Sequence, residues 1–411
     1  MEGNIVWNFI YPWPFYAAST KTDNDAIYND VNRWRKLEST WYASGRAFRD
    51  LDKIDPLTNP IWERWIAHPA YDEYWQSMIP YKEDFARVNI PILNTAGYYY
   101  GGPGAAVYYF TQHLQYKPNA EHYLLIGPYD HFEAQRGTRN AFGQQNEFIA
   151  GYKRDAAALI DLTELRYQWF DYVFKGARKP AILQDKVNYE VTGANVWKHT
   201  PSIAAMSTSK LRLHLTAMKQ GTRYRLTENK PEDGFIEQTV NLADRSDADK
   251  PRPGGAVLDT DVDSTYGSVF VSDPFTKPVE ISGLFSGQLD FKTNKKDFDF
   301  EIDLYQLTAK GEYLQLAPYW ARASYVHDRM HRQLLVPDAR ERLNFSSIRL
   351  MSSQFQPGSR LVVVLSVIKE SGREINYGSG KPVIEETIAD AGDPLRIEWY
   401  SDSYIDVPVR R

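Results

Sequence analysis

The sequence predicts a mixed fold, α/β in its first half and all-β in its second. Three observations carry this. A short apolar run, Ile90–Ala96, and a second, His122–Ile126, flank a stretch over 105–116 with helical spacing. Each run ends in a glycine-bearing loop, Gly97-Tyr98-Tyr99-Tyr100-Gly101-Gly102 and Gly127-Pro128-Tyr129-Asp130-His131. From about residue 185 onward, short strand-like runs follow one another with turn signals between them, the pattern of a β-sandwich.

Along the chain, residues 1–85 read as helical and irregular. Val31, Trp34, Leu37 and Trp41 share one helix face behind a cap at Asn29 or Asp30, and Asn59-Pro60 opens a second helix bearing Trp62, Trp65 and Ile66. Residues 86–184 hold the strand–helix–strand unit. They also hold an amphipathic helix with Leu162, Leu165, Trp169 and Val173 on one stripe, stopped by Gly176. Residues 185–411 hold the strands. Val187–Val191 opens the series, Asp297–Leu304 alternates as a half-buried strand, and Arg360–Leu365 is a buried one. The stretch 244–255 is a charged, proline- and glycine-rich loop.

In open α/β sheets the chemistry gathers at the carboxyl ends of the strands, where both glycine-bearing loops lie. The two loops resemble the motifs of CocE/NonD-type serine hydrolases, the group of cocaine esterase, α-amino-acid ester hydrolase and X-prolyl dipeptidyl peptidase. In that group Gly-Tyr/Trp-Tyr-Asp-Gly carries the acid and Gly-Pro-Trp/Tyr-Asp/Ser-His the histidine. The resemblance makes His131 the general base and sets Tyr100 at the acid position. A tyrosine there cannot supply the charge that stabilises an imidazolium. It implies a helical cap over 1–85, the C-terminal part of an α/β-hydrolase domain over 86–184, and a jelly-roll sandwich over 185–411. His68-Pro69 and Tyr74–Ser77 match a stretch that precedes the acid strand in the group. The implied reaction is hydrolysis of carboxylic esters, bulky or aromatic ones included, or of amides, through an acyl-serine.

The group's Gly-x-Ser-x-Gly nucleophile elbow does not occur ahead of His131. Gly283–Gly287 has the right outline but lies among strands and reads as a turn. The expectation is therefore a chain lacking the nucleophile-bearing part, whose start is an internal methionine or a truncation. Ser44 is the substitute nucleophile to weigh, against its plainer reading as a helix-surface or capping serine. Asp130 and Glu133 flank the histidine and are candidate orienting acids, against their plainer reading as solvated loop carboxylates. A sheet without its first strands leaves an open edge, so the chain is expected to form homo-oligomers or to pair with another chain there. A non-catalytic binding or scaffold protein, and one half of a two-chain hydrolase, are the alternatives.

Net charge is −5, which gives no electrostatic case for nucleic acid. No apolar run reaches the length of a membrane span. The first sixteen residues have no basic region or cleavage site of a signal peptide; a signal lying upstream would make a periplasmic or secreted location open. There is no cysteine, which excludes disulfides, thiolate metal sites and a thiol nucleophile. No cofactor or metal is called for. The histidines are not expected to cluster: His113 and His122 flank the site loops. His327 and His331 have metal-ligand spacing in a strand-rich region, which argues against a site. Asp297, Asp299, Glu301 and Asp303 read as a solvated sheet face. Aromatic residues make up 14% of the chain, and those of the first third are expected in a helical core or an aromatic-lined pocket.

Overall fold

A computed structural model describes residues 2–7, 10–18, 26–99, 103–139, 143–248 and 255–410. The strand–helix–strand unit is present: β1 (Ile92–Gly97), then a helix Pro103–Tyr116, then β2 (His122–Gly127). The two strands run parallel, Ile92 opposite His122 and Gly97 opposite Gly127, so their carboxyl ends lie side by side. Every residue of β2 is buried, because helices cover both faces of a parallel sheet. Val107 and Phe110 of the Pro103–Tyr116 helix pack with Ala96, Leu124 and Ile126 on one face. On the other, Leu162, Leu165 and Trp169 of the helix Leu162–Lys175 pack with Tyr123, Leu125 and Tyr129. That second helix begins at its Asp161 cap, whose carboxylate accepts the Glu164 N–H at 2.9 Å, and ends at Gly176 in the left-handed conformation, φ 68°.

The sheet has two further strands. β3 (Val187–Val191) adds parallel to β2, and β4 (Val196–Thr200) adds antiparallel to β3, giving the order β1-β2-β3-β4. Val187–Val191 thus pairs into the α/β sheet rather than opening the sandwich strands, and the separate strand-rich network begins at Ser209. Its five residues are all buried, and a strand buried on both faces carries no alternation that would assign it to one kind of sheet. Among the described residues β1 is paired on one side only.

From Ser209 to Arg410, fourteen strands join in one hydrogen-bonded network, antiparallel except where Phe270 and Val271 run parallel to Tyr224 and Arg225. Gly283–Gly287 is the connection between strands Val279–Gly283 and Ser286–Thr293, as the sequence suggested. In the strand Asp299–Leu307, Phe300, Ile302 and Leu304 enter the core. The acidic face is not solvated. Asp299 takes two bonds of 2.9 Å from Arg322, and Asp297 takes Arg332 at 2.8 Å and the Ser324 hydroxyl at 2.6 Å. Arg322 also reaches Glu374 at 2.7 Å, and these groups are all but closed to water. Buried carboxylates persist because each meets a guanidinium.

Of the aromatic residues of the first third, Tyr11, Trp34, Trp41, Tyr42 and Trp62 are core, Trp65, Tyr71, Tyr74 and Trp75 are half-buried, and Phe9 lies outside the described residues. Trp34, Trp41 and Tyr42 of the helix Val31–Ser44, with Phe48 and Trp62, share one hydrophobic cluster with Phe291, Phe298 and Trp399 of the strand-rich half. Both predicted helix starts hold: Asp30 accepts the Arg33 N–H at 3.0 Å, and Asn59 the Trp62 N–H at 3.2 Å.

Two histidines expected to stand apart are in contact. The Nδ1 atoms of buried His113 and His122 lie 3.1 Å apart, and His113 Nε2 donates to the Val88 carbonyl at 3.1 Å. That fixes the tautomers. His113 Nδ1 is an acceptor, so His122 Nδ1 carries the proton given to it, and His122 Nε2 is a lone pair without a partner. Burial pushes both pKa values down, that of His122 to about 3.

Candidate functional site at the carboxyl ends of β1 and β2

The two loops expected to carry chemistry are locked together. The Tyr98 N–H donates to the Gly127 carbonyl at 2.9 Å, and the Tyr99 N–H to the Tyr129 carbonyl at 3.3 Å. A Cβ on Gly97 would overlap that Tyr129 carbonyl, so only glycine lets the loops approach this closely. Tyr129 folds into the core, its hydroxyl donating to the Ala158 carbonyl at 2.8 Å. Tyr100, at the acid position, lies outside the described residues, as do Gly101 and Gly102.

His131 is exposed at the turn leading into the short helix Glu133–Arg136. Its Nε2 is 3.1 Å from the Gln135 amide nitrogen, and its ring meets Phe132 edge-on at 5.3 Å. The flanking acids are engaged elsewhere. Asp130 caps the turn, its carboxylate accepting the N–H groups of Phe132 and Glu133, each at 2.8 Å. Glu133 returns the contact by accepting the Asp130 N–H at 3.1 Å. Glu133 is buried, which corrects the expectation of a solvated loop carboxylate. It takes Asn146 at 3.0 Å and the guanidinium of Arg154. Burial raises its pKa, and Arg154 acts in the opposite direction.

Arg154 is the hub of this loop. It also donates to the carbonyls of Pro128 at 2.9 Å, and of Asn146 and Phe148 at 2.8 Å. Nothing in the sequence marked it. A lone arginine just past the two-residue strand Tyr152–Lys153 has no pattern to read.

Ser44 ends its helix in a local turn. Its hydroxyl donates to the Trp41 carbonyl at 2.7 Å and accepts the Arg46 N–H at 3.3 Å. The helix packs into the aromatic cluster of the strand-rich half, so the capping reading holds.

Glu190 of β3 is a second group that the sequence reading missed. It is fully buried, and its pKa is pushed up to about 9, first by burial and then by Asp155 beside it. Asp155 accepts the Gly193 N–H at 2.6 Å and that of Asn195 at 3.3 Å. The Tyr98 hydroxyl donates to the Glu190 carbonyl at 2.7 Å, which ties this acid to the residues leading into position 100. A glutamate between buried Tyr189 and Val191 was the available signal, once the strand is assigned to a parallel sheet.

Among the described residues no group of three or more histidines and acids could hold a metal, and no helix is long and apolar enough to cross a membrane.

This architecture, an α/β sheet with its site loops followed by a strand-rich domain, is shared with a group of known hydrolases. Residues 1–133 match the model of X-Pro dipeptidyl-peptidase (S15 family), and residues 181–387 that of the X-Pro dipeptidyl-peptidase C-terminal non-catalytic domain. The chain is 24% identical over 381 residues to cocaine esterase from Rhodococcus sp. (strain MB1 Bresler), a match covering 88% of this chain and 62% of that one. The structure is similar to an aminopeptidase from a marine sediment archaeon, Thaumarchaeota archaeon, with TM-score 0.76, 16% identity, and coverage of 100% of this chain and 69% of that one. It is also similar to an α-amino acid ester hydrolase, with TM-score 0.71, 21% identity, and coverage of 91% and 64%. The chain belongs to the X-Pro dipeptidyl-peptidase family, in its CocE/NonD-type group. It spans 62% of the length of the cocaine esterase it matches.

Proposed function

We propose that this chain serves hydrolysis of carboxylic esters or amides, with His131 transferring the proton between nucleophile and leaving group. The observation that supports it is the position of His131. An imidazole stands at the carboxyl end of a buried parallel strand, on a loop braced by Arg154 and Glu133. The nucleophile is unidentified, and Tyr100 offers no anion to stabilise the imidazolium. Removing that anion from a serine-protease triad costs about 10⁴ in rate. Turnover is therefore slow, and aryl esters with good leaving groups are favoured over amides. The jelly-roll form of the strand-rich domain is part of the same reading, supported by its antiparallel strands.

The test is a pair of variants, His131→Ala and Tyr100→Asp, on a nitrophenyl ester beside an empty-vector preparation, with fluorophosphonate labelling of the same samples. The reading expects hydrolysis lost in His131→Ala with an unchanged circular dichroism spectrum. Full activity in that variant overturns it. One observation favours a non-catalytic role instead: half of the chain matches a domain described as non-catalytic. Absence of both hydrolysis and labelling would support that second reading.

A further inference from the structure

A cleft of about 1120 Å³ opens in the strand-rich half, between the segments 225–231 and 272–279. Its floor is Leu211, Leu213 and Leu226, all buried members of the main hydrophobic cluster. Phe275 and Val279 of the facing segment pack against the same cluster. The opening exists because one strand stops early. Strand Arg223–Thr227 pairs with strand Ser209–Gln220 only as far as Thr227, opposite His214. The chain then leaves the sheet: the Thr227 hydroxyl donates to the Asn229 carbonyl at 2.8 Å, and Lys230 crosses to Asp402 at 2.6 Å. Ser209–Leu213 is therefore an edge on this side, while strand Tyr404–Arg410 pairs with its other side. The Leu215 N–H donates to the Ser403 carbonyl on the paired side at 3.0 Å. By antiparallel alternation Leu213 and Leu211 face the same way, and the N–H and C=O groups of Lys210 and Arg212 face the cleft. Among the described residues no backbone group meets them. The side chains of Leu211 and Leu213 point down into the cleft, and those of Lys210 and Arg212 point out of it.

We infer that this edge binds an extended peptide segment of a partner protein, acidic at alternate positions and apolar between them, which adds to the sheet as a strand in line with Arg223–Thr227. Main-chain bonds to Lys210 and Arg212 hold it, and every second side chain enters the apolar floor. The edge Ser209–Leu213 is about 17 Å long, the length of five extended residues. Charge selects the acidic segment. Three cations around the cleft already have acids: Arg212 has Asp406 at 2.8 Å, Arg225 has Asp273 at 3.0 Å, and Lys230 has Asp402. Lys210 on the edge and Lys277 on the facing segment make no ion pair among the described residues, and of the acids lining the cleft only Glu228 is likewise unpaired there. Residues that pair across strands share a face, so the peptide residue opposite Lys210 points outward beside it, and an acid there completes a cross-strand pair. A basic segment is repelled at the same place. The inference does not depend on the proposed hydrolysis.

The test is fluorescence anisotropy of a labelled peptide, Glu-Val-Asp-Val-Glu-Val, titrated with the full chain, beside hydrogen exchange of the complex. Saturable binding is expected, and the amides of Lys210 and Arg212, open in the free protein, should gain protection. Lysine in place of the three acids should weaken binding at least tenfold. In the docked strand the acidic residues turn their N–H groups to the edge, so N-methylation of those amides should also weaken it at least tenfold, and N-methylation of the valines much less. Lys210→Pro removes one edge N–H and a free cation while sparing the bonds to strand Tyr404–Arg410, and should abolish binding with unchanged circular dichroism. The peptide comparisons need no variant to fold. No saturation at millimolar protein overturns the inference. So does binding without protection of Lys210 and Arg212, equal affinity for the lysine peptide, or indifference to which amides are methylated.

Discussion

Arg154 and Glu133 form an ion pair almost closed to solvent, behind the loop that carries His131. Arg154 also serves three carbonyls around that loop, so its loss would leave a buried carboxylate and three acceptors at once. Breaking a buried pair from one side typically costs about 3–5 kcal/mol. Arg154→Met is therefore expected to destabilise the protein by about that much. Arg154→Met with Glu133→Gln should recover part of the loss, because the uncompensated charge is gone. Urea denaturation of the three proteins checks it. Equal stability of the single and double variants would mean that the carbonyl contacts, not the ion pair, hold the loop.

Gly97 faces the Tyr129 carbonyl without room for a methyl group. Gly97→Ala must either shift β1 or part the two site loops. An overpacked site of this kind costs about 1–3 kcal/mol. The amides of Tyr98 and Tyr99, which bridge the loops, should exchange with solvent faster in the variant while those of Leu124 and Leu125 stay protected. Hydrogen exchange followed by mass spectrometry reads this directly. Unchanged exchange at Tyr98 and Tyr99 would show that the close approach is not needed for loop pairing.

His113 and His122 are held neutral in the folded state. Their folded pKa values lie below the ordinary value of 6.5, that of His122 near 3. The unfolded chain therefore binds protons first as pH falls. The stability they contribute is present above pH 6.5 and is lost progressively as pH falls toward 3. His122→Asn keeps a side-chain donor close to the place of Nδ1 and removes the titration. Its stability should decline less steeply than the wild type's between pH 6.5 and 4.5, measured by urea denaturation. Parallel declines would mean that carboxylates alone govern the acid limb.

How much was legible depended on whether a feature leaves a local pattern. The helix at Leu162–Lys175 did, through its periodic apolar residues, its Asp161 cap and Gly176. So did the strand–helix–strand unit and the position of His131 at its second strand end. The strand Val187–Val191 did not, because burial on both faces erases alternation and only its pairing with Leu124–Ile126 assigns it. The acidic face holding Asp297 and Asp299 misled, since its partners Arg322, Arg332 and Asn376 are distant in sequence. The same holds at the site. Glu133 looked like a loop carboxylate until Arg154, twenty-one residues away, closed over it.

Glu190 offers the sharpest test of the buried ground beneath the site loops. Its folded pKa is raised to about 9 against an ordinary 4.5, by burial first and by Asp155 second. The folded state therefore holds a proton that the unfolded chain releases above pH 4.5. The stability from this group is fully present below 4.5 and is lost as pH rises toward 9, with a limiting slope of about 1.4 kcal/mol per pH unit. Glu190→Gln replaces the neutral acid by a neutral amide of the same shape. At pH 5 the two proteins should be of similar stability, and by pH 8 the variant should be the more stable. Because the Tyr98 hydroxyl reaches the Glu190 backbone, which the substitution leaves in place, the loop at the end of β1 should be undisturbed. Urea denaturation at half-unit steps from pH 5 to 8.5 measures the difference. If the wild type and Glu190→Gln keep a constant gap across that range, Glu190 is ionised in the folded protein, and some cation must reach it there.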